Sequence, residues 1–236
     1  MIARIVWSLA IVLVASVASL AQLDRSARYS PALAELVPAP FQAFAARHLA
    51  AEAILERDGE TALPLARALV KVRPVPAEHM TMLAQARGLA EDQPGALAAL
   101  SEAIQRGWRD PVAQQSAAEA ALLSGDFTTA TQRISALLAT EQLPDEMVRQ
   151  LARLLQNEAG RTAFAAALAA PGRWQSNLPT RAADSVAPAD LAETLALALD
   201  QGADLPCSSL GYVAQSYRTN GFEAEAERFW PGACPL

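Results

Sequence analysis

Basic residues, aromatics, histidines and cysteines are all scarce in this chain, and each scarcity closes off a class of function. Lysine and arginine number 19 against 25 aspartates and glutamates, a net charge of −6. A general nucleic-acid binder needs a basic face for phosphates, so no nucleic-acid partner is expected. The two histidines, His48 and His79, have no second ligand at metal spacing. A lone histidine on a helix is ordinarily a surface or part-buried residue. There is no glycine-rich phosphate loop, no Gly-x-Ser-x-Gly elbow and no His-Glu-x-x-His. Ser208-Ser209 has no base nearby, and Glu223, Glu225 and Glu227 read as the solvated face of a helix. The inventory therefore gives no catalytic residue, no metal and no cofactor, and an enzyme is not expected.

Aromatic residues make up 6% of the chain while apolar residues make up 52%, much of it alanine. Alanine has the highest helix propensity and lets helices approach closely, and alternating strand-like runs are missing. The composition favours an all-α fold.

One long apolar run is present. Ile5–Leu23 reads IVWSLAIVLVASVASLAQL without a charge, after a short positive flank at Arg4. As a helix it spans about 28 Å, close to the thickness of a bilayer's hydrocarbon core. Two readings stand. The run (1–24) is a retained transmembrane anchor, with Trp7 as an interfacial residue, or it is a signal peptide removed near Ser16-Val17-Ala18 or Ser19-Leu20-Ala21. No cysteine follows it, which excludes a lipoprotein. Both readings place the rest of the chain across a bacterial inner membrane, in the periplasm. Arg25 and Arg28 weaken that charge asymmetry without reversing it.

Residues 25–40, with Pro31, Pro38 and Pro40, read as a linker. From Phe41 the pattern is helix, break, helix. The breaks fall at Asp58-Gly59, Pro74/Pro76, Asp92–Gly95, Asp110-Pro111, Gly125-Asp126, Pro144-Asp145, Gly160 and Pro171. Their spacing suits helix-turn-helix repeats of about 34 residues. The third hairpin is the clearest. Asp110 caps a helix with Pro111 in its first turn, and Gly125 ends it in the left-handed conformation. Asp126 caps the next helix, whose apolar stripe is Phe127, Ala130, Ile134, Leu137 and Leu138. Gly59, Ala62, Ala66 and Leu69 fit the first hairpin, and Ala96, Leu100, Ala103 and Ile104 the second. Asp145–Asn157 and Arg161–Ala170 form a fourth pair, and 171–188 is the least regular stretch. Further helices are expected near Pro188–Gln201, Cys207–Thr219 and Phe222–Trp230, the last stopped by Pro231.

Gly125-Asp126-Phe127 with Ala130 resembles the inter-helix turn and small-residue position of tetratricopeptide repeats. Leu210-Gly211, Asn220-Gly221-Phe222 and Ala226 are similar but out of register. The stretch from Arg109-Asp110-Pro111 to Ala130, and Pro171 with Trp174 and Leu178, resemble a group of membrane-anchored repeat proteins of proteobacteria. The likeness covers roughly Phe41 to Trp230, although the large residue usual at the start of the first helix is missing. It implies a right-handed α-solenoid over 41–236 whose concave face binds a protein or peptide. Arg47, Arg87, Gln114 and Gln115 are the candidate lining residues. The alternatives are a non-binding assembly factor for surface-polysaccharide machinery and, more remotely, an envelope-polymer enzyme.

Trp108, Phe127, Tyr212, Phe222, Phe229 and Trp230 lie near turns and helix ends and read as core seals, with Trp174 the more exposed. Cys207 and Cys234 sit at adjoining ends of a helical hairpin. In an oxidising compartment they are a candidate disulfide; the alternative is two unpaired small apolar residues.

Overall fold

The computed structural model describes residues 2–140, 144–172, 174–230 and 234. Among them there are thirteen α-helices, three short 3₁₀ segments and no strand. The chain divides into two compact units, Met1–Gly107 and Trp108–Leu236. The division falls inside the stretch read from sequence as one repeat domain.

The first unit begins with α1 (Ile2–Ala27), long and apolar enough to cross a bilayer, a property shared by signal sequences. Its apolar side chains are bare, Trp7 being 70% exposed, and only its last turns are buried, at Asp24 and Ala27. The expected linker is not a free tether. It folds into 3₁₀ segments at Pro31–Leu36 and Ala39–Phe41, and Ala34 and Val37 pack with Ala27 and Ala45, flanked by Leu23, Leu33, Phe41 and Leu49. Then come α2 (Ala45–Leu55), α3 (Gly59–Val72), α4 (Ala77–Leu89) and α5 (Gln93–Arg106). Their shared core is mostly alanine, with Ala53, Ala62, Ala66, Ala84, Ala86 and Ala99 around Leu83.

The second unit contains α6 (Pro111–Ser124), α7 (Phe127–Thr140), α8 (Pro144–Leu155), α9 (Glu158–Ala169), α10 (Leu178–Ala182), α11 (Pro188–Asp200), α12 (Cys207–Thr219) and α13 (Glu223–Phe229). Its core is built of larger residues, including Ile134, Leu151, Leu154, Phe164, Leu191 and Phe229. The irregular stretch contributes a 3₁₀ turn, Trp174–Asn177, and α10. Pro144, expected to end a hairpin, instead opens α8, where proline's missing N–H is harmless. Pro231, the expected final stop, lies outside the described residues.

A repeat is visible in the turns. Helices α3, α5 and α7 begin at Gly59, Gln93 and Phe127, 34 residues apart each time. The residues two places earlier, Arg57, Glu91 and Gly125, all have positive φ, at 60°, 61° and 74°. Each following aspartate donates its N–H back to the preceding helix: Asp58 to Ala53, Asp92 to Arg87 and Asp126 to Ala121, all at 2.9 Å. Each carboxylate accepts the amide three residues on, from Thr61, Gly95 and Thr129, at 3.0 Å. These are left-handed C-terminal turns running directly into N-caps. Ala62 and Ala130 are fully buried at the small-residue position, and Ala96 is half-buried. Gly59 has a different role from Gly125: a Cβ there would come within 2.8 Å of the Leu89 backbone, so its absence lets α3 start against the end of α4.

Candidate functional site

The end of α1 builds the most distinctive chemistry. Asp24 is 4% exposed, and its Oδ1 accepts the N–H groups of Ala43, Phe44 and Ala45 at 2.9–3.1 Å. The Phe44 and Ala45 amides are otherwise orphan donors at the start of α2, which has no cap of its own, while the Ala43 amide is shared with the Phe41 carbonyl. A carboxylate at the end of the apolar helix thus fastens it to the helical body. One turn later, the Arg28 guanidinium lies over Tyr29 and Phe44, 5.4 and 5.7 Å from the ring centroids. Arg73, which closes α3, brings its guanidinium to 4.3 Å from the same Phe44 ring. All three distances are within cation–π range.

Arg28, Phe44 and Arg73 line a small concavity of about 100 Å³ together with Arg47, His48, Pro76, Glu78 and His79. Arg47 and His48 come from the first turn of α2, and Glu78 and His79 from the first turn of α4. His79 is buried, with Nδ1 donating to the Arg73 carbonyl at 2.8 Å. That bond leaves Nε2 as the unprotonated nitrogen of the neutral ring. Burial, and then the charge of Arg73, push its pKa below the ordinary value. Among the described residues Arg28, Arg47 and Arg73 form no ion pair. Glu78 is the single carboxylate in the lining. The result is a cationic pocket in an acidic protein. Among the described residues no three His, Cys, Asp or Glu side chains converge as they would around a metal. The pocket's donors suit an anion instead.

The four residues expected to line a binding face do not share one role. Arg47 is exposed and belongs to the cationic pocket. Arg87 is engaged at the turn between α4 and α5, where Nη1 donates to the Gly95 carbonyl at 2.9 Å and Nε lies 3.7 Å from Asp92. Gln114 is 1% exposed, and its Oε1 accepts from Arg133, whose guanidinium stacks 4.2 Å from the Trp108 ring centroid. Burial lowers the Arg133 pKa. Gln115 offers its backbone carbonyl to Gln150. The side chains of Arg87 and Gln114 thus engage within the fold, whereas Gln115 contributes its backbone carbonyl.

Among the aromatics expected to seal the core, Phe229 is buried, and Phe127 and Trp230 pack against it. Trp108 and Tyr212 are 54% and 60% exposed, and Phe222 is also exposed. Trp174, expected to be the outlier, instead lies 5.9 Å from Phe164. The reason is that the 3₁₀ turn folds Trp174 onto α9, while the Trp108 ring carries the Arg133 guanidinium at its surface.

Cys207 opens α12 and is disulfide-bonded to Cys234, with 5.5 Å between Cα atoms. Helix α13 packs against α11 and α12, which returns the chain to Cys207. A wider groove in the second unit, about 650 Å³, is lined by Met147, Val148 and Ala152 of α8 with Arg149, Arg153, Arg181 and Asp184. Two of its cations are neutralised locally, Arg149 by Glu146 and Arg153 by Glu119. No protein-family model matches the chain, and no curated protein matches it.

Proposed function

We propose that this protein is a membrane-anchored, tetratricopeptide-type scaffold whose helical body faces the periplasm and binds protein or peptide partners in envelope assembly. The observation that carries the reading is the 34-residue recurrence of the same turn, in a chain led by an unburied apolar helix. Repeated hairpins without a catalytic constellation are a binding architecture. The disulfide supports an oxidising compartment, and the Asp24 clamp supports an anchor that positions the body rather than trailing from it. The groove on α8 is the natural peptide site in the second unit, having an apolar floor and charged walls.

The test is photocrosslinking in intact cells that express the protein, with the crosslinker placed at Arg149 in the groove or at the exposed Leu97 outside it. A discrete adduct from Arg149 that fades when the groove is filled by Ala152→Trp is expected. Equal, diffuse labelling from both positions would count against a partner-binding groove.

A further inference from the structure

We infer that the pocket formed by Arg28, Arg47 and Arg73 is a binding site for the headgroup phosphate of an anionic phospholipid. The inference rests on α1 being a retained membrane anchor. Position comes first. The uncharged run ends at Leu23, and Arg28 follows five residues later in the same helix and its closing turn. At 1.5 Å per residue that places it about 8 Å beyond the hydrocarbon core. The polar interfacial layer on each face of a bilayer is roughly 5–8 Å deep. Asp24 locks α1 to α2, so Arg47 is carried at a fixed place beside that layer, and Phe44 holds both Arg28 and Arg73 over its ring.

Charge comes second. Three guanidinium groups converge without an ion pair among the described residues, which is unfavourable unless an anion joins them. Guanidinium matches phosphate oxygens in a bidentate fork. The N-terminal turn of α4 adds to the positive field. With Glu78 the single acidic residue in the lining, little is there to host a choline, so an anionic headgroup is favoured over a zwitterionic one. Size comes third. A concavity of about 100 Å³ holds a few waters' worth of ligand, enough for one phosphate and too little for a peptide side-chain cluster. The rim supplies a last observation. Tyr29 and Val75, next in sequence to Arg28 and Pro76, are 77% and 83% exposed. A tyrosine and an apolar residue flanking a cationic pocket are what a surface resting at headgroup level presents.

The experiment is native mass spectrometry of the full chain released from detergent micelles, titrated with phosphatidylglycerol, phosphatidylcholine or inorganic phosphate. A phosphatidylglycerol adduct tighter than the phosphatidylcholine adduct is expected. Arg47→Gln should weaken it about fivefold, the effect of one surface arginine at an anionic membrane. Arg28→Gln should do the same, and the double variant should lose more. Arg47 is exposed and its side chain makes no hydrogen bond among the described residues, so its variant keeps the fold; an unchanged melting curve checks this. Equal binding of the two lipids, or adducts indifferent to both substitutions, would overturn the inference. Inorganic phosphate that displaces the lipid at equal concentration, with the same arginine dependence, would reassign the pocket to free phosphate and overturn the lipid identification. The same spectra weigh the chain, so loss of α1 is read separately from loss of the adduct.

Discussion

At the residue scale, three positions 34 residues apart adopt one left-handed geometry with three different side chains. Gly125 takes it without strain, whereas Arg57 and Glu91 hold a Cβ at φ near 60°. For an L-residue this costs roughly 1–2 kcal/mol. Gly125→Val should therefore lower stability by about that amount. Glu91→Gly should raise it by up to about 1 kcal/mol, since glycine's greater freedom in the unfolded chain offsets part of the relief. Thermal melts of the two variants moving in the same direction would sink this reading of the turns. His79 supplies a second residue-scale expectation. Its folded pKa lies below the ordinary value near 6.5. On acidification the unfolded chain takes up that proton before the folded one does, so stability is lost as pH falls from about 7 to 5. Asp58 and Asp126, held below the usual carboxyl range chiefly by hydrogen bonds from Thr61 and Thr129, matter only at lower pH. Urea midpoints at the two pH values should separate for the wild type and draw together in His79→Asn, which keeps a donor for the Arg73 carbonyl. A wild-type midpoint unchanged between pH 7 and 5 would contradict this.

At the element scale, one carboxylate fastens the junction between α1 and α2, beside the apolar packing of Leu23 and Ala27. Asp24→Ala would leave the Phe44 and Ala45 amides at the start of α2 without an acceptor, costing about 1–3 kcal/mol. Hydrogen exchange should quicken at Phe44 and Ala45, and exchange there at the wild-type rate would show that the clamp is dispensable. The element scale is also where the sequence was most and least readable. Helix α6 was legible because Asp110-Pro111 and Gly125 are strong start and stop signals, and α12 was expected with the bounds it has. The 34-residue period is written in Asp58, Asp92 and Asp126, yet Arg57 and Glu91 hide two of its turns, since neither residue advertises a positive φ. The Asp24 clamp was not legible, because a cap from 20 residues away has no local pattern. The residues 25–40 looked like a linker for a related reason: three prolines break α-helix but are compatible with 3₁₀ segments that bury Ala34 and Val37.

At the scale of the whole molecule, each unit keeps its own core, alanine-rich in the first and built on leucine and phenylalanine in the second. The cationic pocket escaped sequence reading because its residues come from α1, α2, the end of α3 and the start of α4. Only Arg47 among them was singled out, and the two histidines, read as unrelated, line the same wall. What unites the molecule functionally is the proposal that α1 holds an oxidised helical body at a membrane. The most direct measurement is the intact mass of protein extracted freshly from membranes and alkylated without reductant. A chain that retains α1 and carries no label on Cys207 or Cys234 is the expected result, with two labels appearing after dithiothreitol. A species beginning at Gln22, or a full chain labelled on both cysteines at once, would contradict the anchored, periplasmic reading.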